Sequence, residues 1–139
     1  MAIHCYTEAC SLKFKNRRFI NRWIRETILN ERRKPGDIAV IFCSDEYLLS
    51  MNREHLNHDY YTDIITFDYV EGDRVSGDLF ISVDTVRDNA EKYHVDFLHE
   101  LHRVIIHGVL HLCGYQDKSP KQAKQMREKE DFYLNLLSV

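Results

Sequence analysis

Residues 97–113, FLHELHRVIIHGVLHLC, carry apolar side chains at helical spacing, and this segment constrains the rest of the chain most. At about 100° per residue, with His107 set at zero, Leu98, Leu101, Ile105, Val109 and Leu112 fall between about 120° and about 200°. That arc is a core face. His111 lies at about 40°, so the two histidines share a side turned away from the core and can both reach one ion. His102 falls at about 220° and His99 at about 280°, both outside the pair. Cys113, at about 240°, reads as a core residue. Gly114 is placed to end the helix, after which "YQD" can bring Asp117 back beside the imidazoles. Two nitrogens and one carboxylate oxygen make a three-ligand metal site with a position left for water or substrate, the pattern of catalytic rather than structural zinc. A zinc peptidase would read H-E-x-x-H, with the glutamate as general base. Here Gly108 stands in that place, so the segment keeps the metal-binding geometry of a zincin-like helix and lacks the peptidase's proton acceptor.

At 139 residues, 44% hydrophobic and 29% charged, the chain has the size and composition of one soluble domain spanning 1–139. No apolar run approaches the roughly 20 residues that cross a bilayer, so no membrane association is expected. The opening "MAIHCYTEAC" lacks the basic and apolar regions of a secretory signal. Cys5, Cys10, Cys43 and Cys113 are scattered without a C-x-x-C pair, which suggests reduced thiols in a cytoplasmic protein. Net charge is −3, but residues 13–34 hold nine Lys/Arg against two Glu, a local balance of +7 that leaves −10 for the remainder. Such a block can neutralise phosphates. Arg17, Arg18, Arg22 and Arg25 are the candidate nucleic-acid contacts, with a solvated helix face as the plainer explanation.

The remaining segments predict an α+β fold, a small mixed sheet with about five packed helices. "AIHCYTE" alternates as a strand, and residues 16–31 repeat apolar positions as a helix. "IAVIFCS" reads as a strand buried on both faces, with Ser44 capping a helix that begins at Asp45 and Glu46. "IITFDYV" and "GDLFISV", joined through "EGDRVSG", predict an antiparallel pair. A helix opening at Asp84 or Thr85 and another after Pro120 complete the set.

The stretch "HGVLHLCGYQD" resembles the signature H-G-x-L-H-L-x-G-Y-D-H of the YbeY family of metal-dependent endoribonucleases. "MNREHLNHDYYTDIITFDY" is similar to that family's L-N-x-x-Y-R-x-x-D-x-P-T-D-V-L-S-F segment. "GDLFIS" is similar to its G-D-I-x-I-S strand, and Met126 and Glu130 match its M-x-x-x-E. The resemblance spans about residues 38–137. It implies cleavage of single-stranded RNA, in ribosomal RNA maturation and quality control of the ribosome and its small subunit, with one divalent metal, zinc by preference. His107 and His111 match the first two of three metal-binding histidines. The third falls on Asp117, a harder and more negative ligand. The family's loop arginine aligns with Leu56, and His55, His58 or a basic residue of the first helix could substitute. RNA carries its own 2'-hydroxyl, which suits a site without a protein base and predicts cyclic phosphate ends. Asp63 could orient a ligand or water or cap its loop. Tyr115 could stack on a base or pack over the metal turn. Two other readings stay open: a ribosome-associated RNA-binding module with a chiefly structural metal, and a metallohydrolase of a non-RNA substrate.

Overall fold

The computed structural model describes residues 3–8, 17–55 and 62–137, the side chain of Arg17 excepted. Leu56, His58 and Cys10, singled out above, lie outside the described residues. The elements run β1 (Ile3–Glu8), α1 (Arg17–Asn30), β2 (Lys34–Cys43), α2 (Asp45–His55), β3 (Ile64–Asp68), β4 (Arg74–Ser82), α3 (Val83–Tyr93), α4 (Phe97–Leu112) and α5 (Pro120–Leu137). Four strands form one mixed sheet in the order β1-β2-β4-β3. Strand β2 is parallel to both neighbours, and β3 pairs antiparallel with β4, as the short connection requires. The α+β class with five helices is as the periodicities indicate.

Local chemistry sets the boundaries. In α1, Phe19, Ile20, Trp23, Ile24, Thr27 and Ile28 recur at helical spacing; all but Phe19, which is exposed, are buried. Ser44 caps α2, its Oγ accepting the Tyr47 amide at 3.2 Å. Helix α3 begins earlier than the expected Asp84 or Thr85. Ser82 ends β4 and also accepts the Thr85 amide at 3.1 Å, so the strand passes straight into the helix. Strand β2 begins at Lys34 rather than Ile38, with a shift in register between Pro35 and Ile38 where it meets β4. From Ile38 to Cys43 it is buried almost throughout, as a strand with neighbours on both sides and helices across it should be.

Helix α4 lies at the centre of the packing, against β3, β4, α3 and α5. The sequence arc placed only one face in the core, yet Ile106 and Leu110, on the far side of the helix, are fully buried as well. Full burial of each such side chain contributes about 1.5–3 kcal/mol. Leu98, assigned to the apolar arc, is 54% exposed instead. It sits in the first turn, where Phe97 rather than Leu98 packs on the core. Two glycines allow α4 to approach the sheet. A Cβ on Gly108 would come within 2.7 Å of Ile64 Cδ1 and 2.9 Å of Leu79 Cδ2. One on Gly77 would come within 2.6 Å of the Phe67 carbonyl and 2.8 Å of Leu112 Cδ2. Position 108 therefore faces packed β-sheet and has no room for the glutamate of a zinc peptidase.

This contact reverses a familiar sign. Alanine is better than glycine by about 1 kcal/mol inside an exposed helix. Gly108→Ala should instead destabilise the protein by about 1–3 kcal/mol, because the methyl ends of Leu79 and Ile64 must shift within a packed contact. A denaturant midpoint unchanged or raised in the variant would show that the helix is not pressed against the sheet as described.

Candidate metal centre

His107 and His111 occupy a sector of α4 that neighbouring elements leave partly open; both side chains are half-buried. The helix ends in a Schellman arrangement, with Gly114 N–H donating to the His111 carbonyl at 3.0 Å and Tyr115 N–H to the Leu110 carbonyl at 3.1 Å. Gly114 takes φ +108°, open to glycine and strained for other residues. That reversal carries Asp117 back over the imidazoles. Its Oδ2 lies 3.3 Å from His107 Nε2 and 3.6 Å from His111 Nε2, and the two Nε2 atoms are 3.0 Å apart. Tetrahedral ligands at about 2.0–2.1 Å from a zinc ion stand about 3.3–3.4 Å from one another, so the observed spacings bracket that geometry. Among the described residues this is the one group of three or more His, Cys, Asp or Glu that converges closely enough to hold a metal.

The hydrogen bonds behind the rings decide what the front nitrogens are. His111 Nδ1 sits 2.8 Å from the Tyr115 backbone oxygen, which can only accept, so Nδ1 carries the proton. His107 Nδ1 sits 2.6 Å from Glu130 Oε2. Burial opposes ionisation of Glu130, but the hydrogen bonds from His107 and Arg103 outweigh it and hold the carboxyl below its ordinary range. His107 Nδ1 therefore donates too. Both Nε2 atoms then present bare lone pairs to each other and to a carboxylate oxygen, an arrangement that calls for a cation between them. A proton answers in part: burial works against the charged ring, yet the bond to Glu130 and the charges of Glu130, Asp117 and Asp63 raise the His107 pKa. A divalent ion would satisfy all three donors at once, and the donor set fits one.

Two outer networks hold this frame. Arg103 donates to Glu130 at 2.8 Å and to Asp131 at 2.7 Å, fixing the carboxylate that orients His107. Beneath the turn, the Tyr115 hydroxyl donates to Glu31 at 2.6 Å, and Tyr133 and Lys129 also bond to Glu31. Tyr115 is thus packed and bonded under the turn rather than offered for base stacking. Cys113 is buried, and desolvation pushes its thiol up to about 12, so it stays a core residue as the helical angle indicated.

A cleft of about 260 Å³ opens beside the centre, with His107, Asp117, Asp63, Glu100, Arg127 and Tyr93 among its lining. Asp63 lines the cleft, and backbone amides of Asp63 and Ile64 bond its carboxylate as in a loop cap. Burial raises its pKa. Arg18, Arg22 and Arg25 are on α1, and none of the three lines the cleft. Arg22 and Arg25 line a separate hollow with Ile3, Asn21 and Pro35. Sequence reasoning left Glu130 and Glu100 without roles. Glu130 had a local signal: it sits four residues after Met126 and three before Tyr133, on the buried stripe of α5.

The fold and donor set define a class: a small α+β domain with a candidate metal site at the end of a buried helix, open to a cleft. The chain belongs to the Endoribonuclease YbeY family, whose description matches residues 2–138. It is 53% identical to Endoribonuclease YbeY of Parabacteroides distasonis, over 99% of this chain and 96% of that protein. It is 57% identical to Endoribonuclease YbeY of Phocaeicola vulgatus, over 84% of this chain and 85% of that one. Its fold is similar to the solution structure of TM1509 from Thermotoga maritima, with a TM-score of 0.70 and 28% identity, covering 98% of this chain and 89% of the other.

Glu130→Gln keeps a hydrogen-bond acceptor for His107 and removes the charge. Metal affinity, measured by competition with a chromogenic chelator, should fall by about 10- to 100-fold while far-ultraviolet circular dichroism stays the same. Unchanged affinity would mean that Glu130 does not tune the centre.

Proposed function

We propose that the cleft at His107, His111 and Asp117 cuts single-stranded RNA with the help of one divalent ion, zinc being our choice for three protein ligands with a position left open. That the chain is an endoribonuclease follows from its family. The finer reading is action in ribosomal RNA maturation and quality control of the small ribosomal subunit, in the cytoplasm. The observation that carries the chemistry is the meeting of two imidazole nitrogens and a carboxylate oxygen beside an open cleft. When bound there, a divalent ion would polarise a phosphoryl oxygen and offset the charge that builds on the phosphorus centre.

The chain's own residues set the geometry. Glu130 and the Tyr115 carbonyl fix the ring planes, Asp117 closes the third side, and Arg127 supplies positive charge in the cleft for the RNA backbone. The site lacks a helix-borne base at position 108, which supports the substrate's own 2'-oxygen as nucleophile. It attacks the adjacent phosphorus, the bond to the 5'-oxygen breaks, and the 2'-hydroxyl's proton ends on that leaving oxygen. The products are a 2',3'-cyclic phosphate and a 5'-hydroxyl end. Arg18, Arg22 and Arg25, with Arg17 beside them in sequence, serve in this reading as phosphate contacts away from the cut. No helix among the described residues is long and apolar enough to cross a membrane.

His111→Ala should reduce cleavage of a short labelled RNA to background and leave the thermal transition within a few degrees of the parent. Loss of the fold along with activity would favour a structural metal in an RNA-binding module. Treatment with a chelator should abolish cleavage, and added zinc should restore it. Asp117→Ala, compared by elemental analysis, should lose the stoichiometric metal. Products of the parent enzyme ending in 3'-hydroxyl would rule out attack by the 2'-oxygen.

A further inference from the structure

The same face of α4 that carries the two histidines continues toward its N-terminus. Glu100 falls at about 20° on the wheel that places His107 at zero, two turns earlier and about 10.5 Å along the axis. It is only 5% exposed, yet it lines the cleft beside His107 and Asp117. Arg103, on the next turn, is committed to Glu130 and Asp131. Burial raises the Glu100 pKa; the charges of Arg103 and of Arg127, which shares the cleft, oppose that shift, but no hydrogen bond or ion pair reaches the Glu100 carboxyl among the described residues. A largely buried carboxyl that opens on the cleft and takes no hydrogen bond from the protein is expected where a ligand supplies one.

The chemistry of the cleft narrows the ligand. Asp63, Glu100, Glu130 and Asp117 make the lining around Glu100 acidic, which leaves the phosphate to the metal end and to Arg127. Apart from His107, His111 and Asp117, no three acidic or histidine side chains among the described residues converge closely enough for a second ion, so a further metal is not the natural occupant. An ionised carboxylate only accepts hydrogen bonds, and its two oxygens suit two adjacent N–H donors. Among RNA bases only guanine offers two on one edge, at N1 and the 2-amino group. Uracil sets its single N–H between two carbonyls, and adenine and cytosine place an amino group beside a ring acceptor. Tyr93, 53% exposed on the cleft's rim, offers a ring for stacking. Single-stranded RNA is read in this way, through stacked and splayed bases.

Taking the endoribonuclease reading above as its basis, we propose that Glu100 is the specificity-determining residue of a guanine subsite beside the metal centre. The base enters the cleft, pairs through N1–H and the 2-amino group with the two Glu100 oxygens, and rests against Tyr93, while the scissile phosphate of the same or the adjoining nucleotide lies at His107.

The test is cleavage of a pool of short, unstructured RNAs with randomised sequence, with cut sites mapped by sequencing the products. The metal-loaded parent should favour guanine by roughly tenfold at one fixed offset from the cut, the discrimination expected of one bidentate pair. Glu100→Gln, which keeps size and shape, should lose most of that preference at the same offset, with its fold checked by circular dichroism. Cleavage by the parent without base bias would overturn the guanine subsite and leave the endoribonuclease reading intact. An unchanged guanine preference in the folded variant would also overturn the role of Glu100. No cleavage of any RNA by the metal-loaded parent would remove both.

Discussion

Everything at the centre of this molecule depends on how closely α4 lies against the sheet. Gly108 on the helix and Gly77 on the strand remove the two side chains that would hold them apart, and Ile64, Leu79 and Leu112 fill the space that remains. Once the helix is seated, its other flanks are taken by α3, α5 and α1, and even Ile106 and Leu110 on the side away from the sheet are buried. One polar stripe beyond this apolar surface holds Glu100, His107 and His111. Packing therefore explains both the location of the chemistry and the missing glutamate: position 108 belongs to the core, and the cleft lies a quarter-turn away.

The centre is then tuned from behind. The backbone carbonyl of Tyr115 and the carboxylate of Glu130 fix both imidazoles in one tautomer, so that their Nε2 lone pairs face each other and Asp117. Such a cluster repels itself without a cation, and its supports must be strong. Arg103 braces Glu130 on one side, and Glu31 braces Tyr115 on the other with Tyr133 and Lys129. These outer contacts join α1, α4 and α5 around the site.

Much of this was legible in the order of residues because helical periodicity and a glycine break act locally. His107 and His111 had to share a face, and Gly114 had to turn the chain back toward Asp117. The antiparallel β3–β4 pair followed from its short connection for the same reason. The misreadings come from the tertiary structure. Leu98 has the right angle for the core but stands exposed in the first turn, and α3 starts early because Ser82 ends the strand with its backbone while its hydroxyl caps the helix. Glu130 could be suspected from its place among Met126 and Tyr133, but its partner on α4 is 23 residues away. Glu100 sat on the correct side of the wheel. Its burial, which gives it meaning, depends on elements that no local pattern foretells.

The three donors differ in how firmly they are mounted. Two imidazoles are bolted to a buried helix and locked by hydrogen bonds, whereas Asp117 stands on the turn that follows, with its side chain 41% exposed. Most of the ordering needed to capture an ion is completed during folding, and only one carboxylate has torsions left to freeze. The fold therefore sets most of the frame in advance, and a single short side chain is left to complete it.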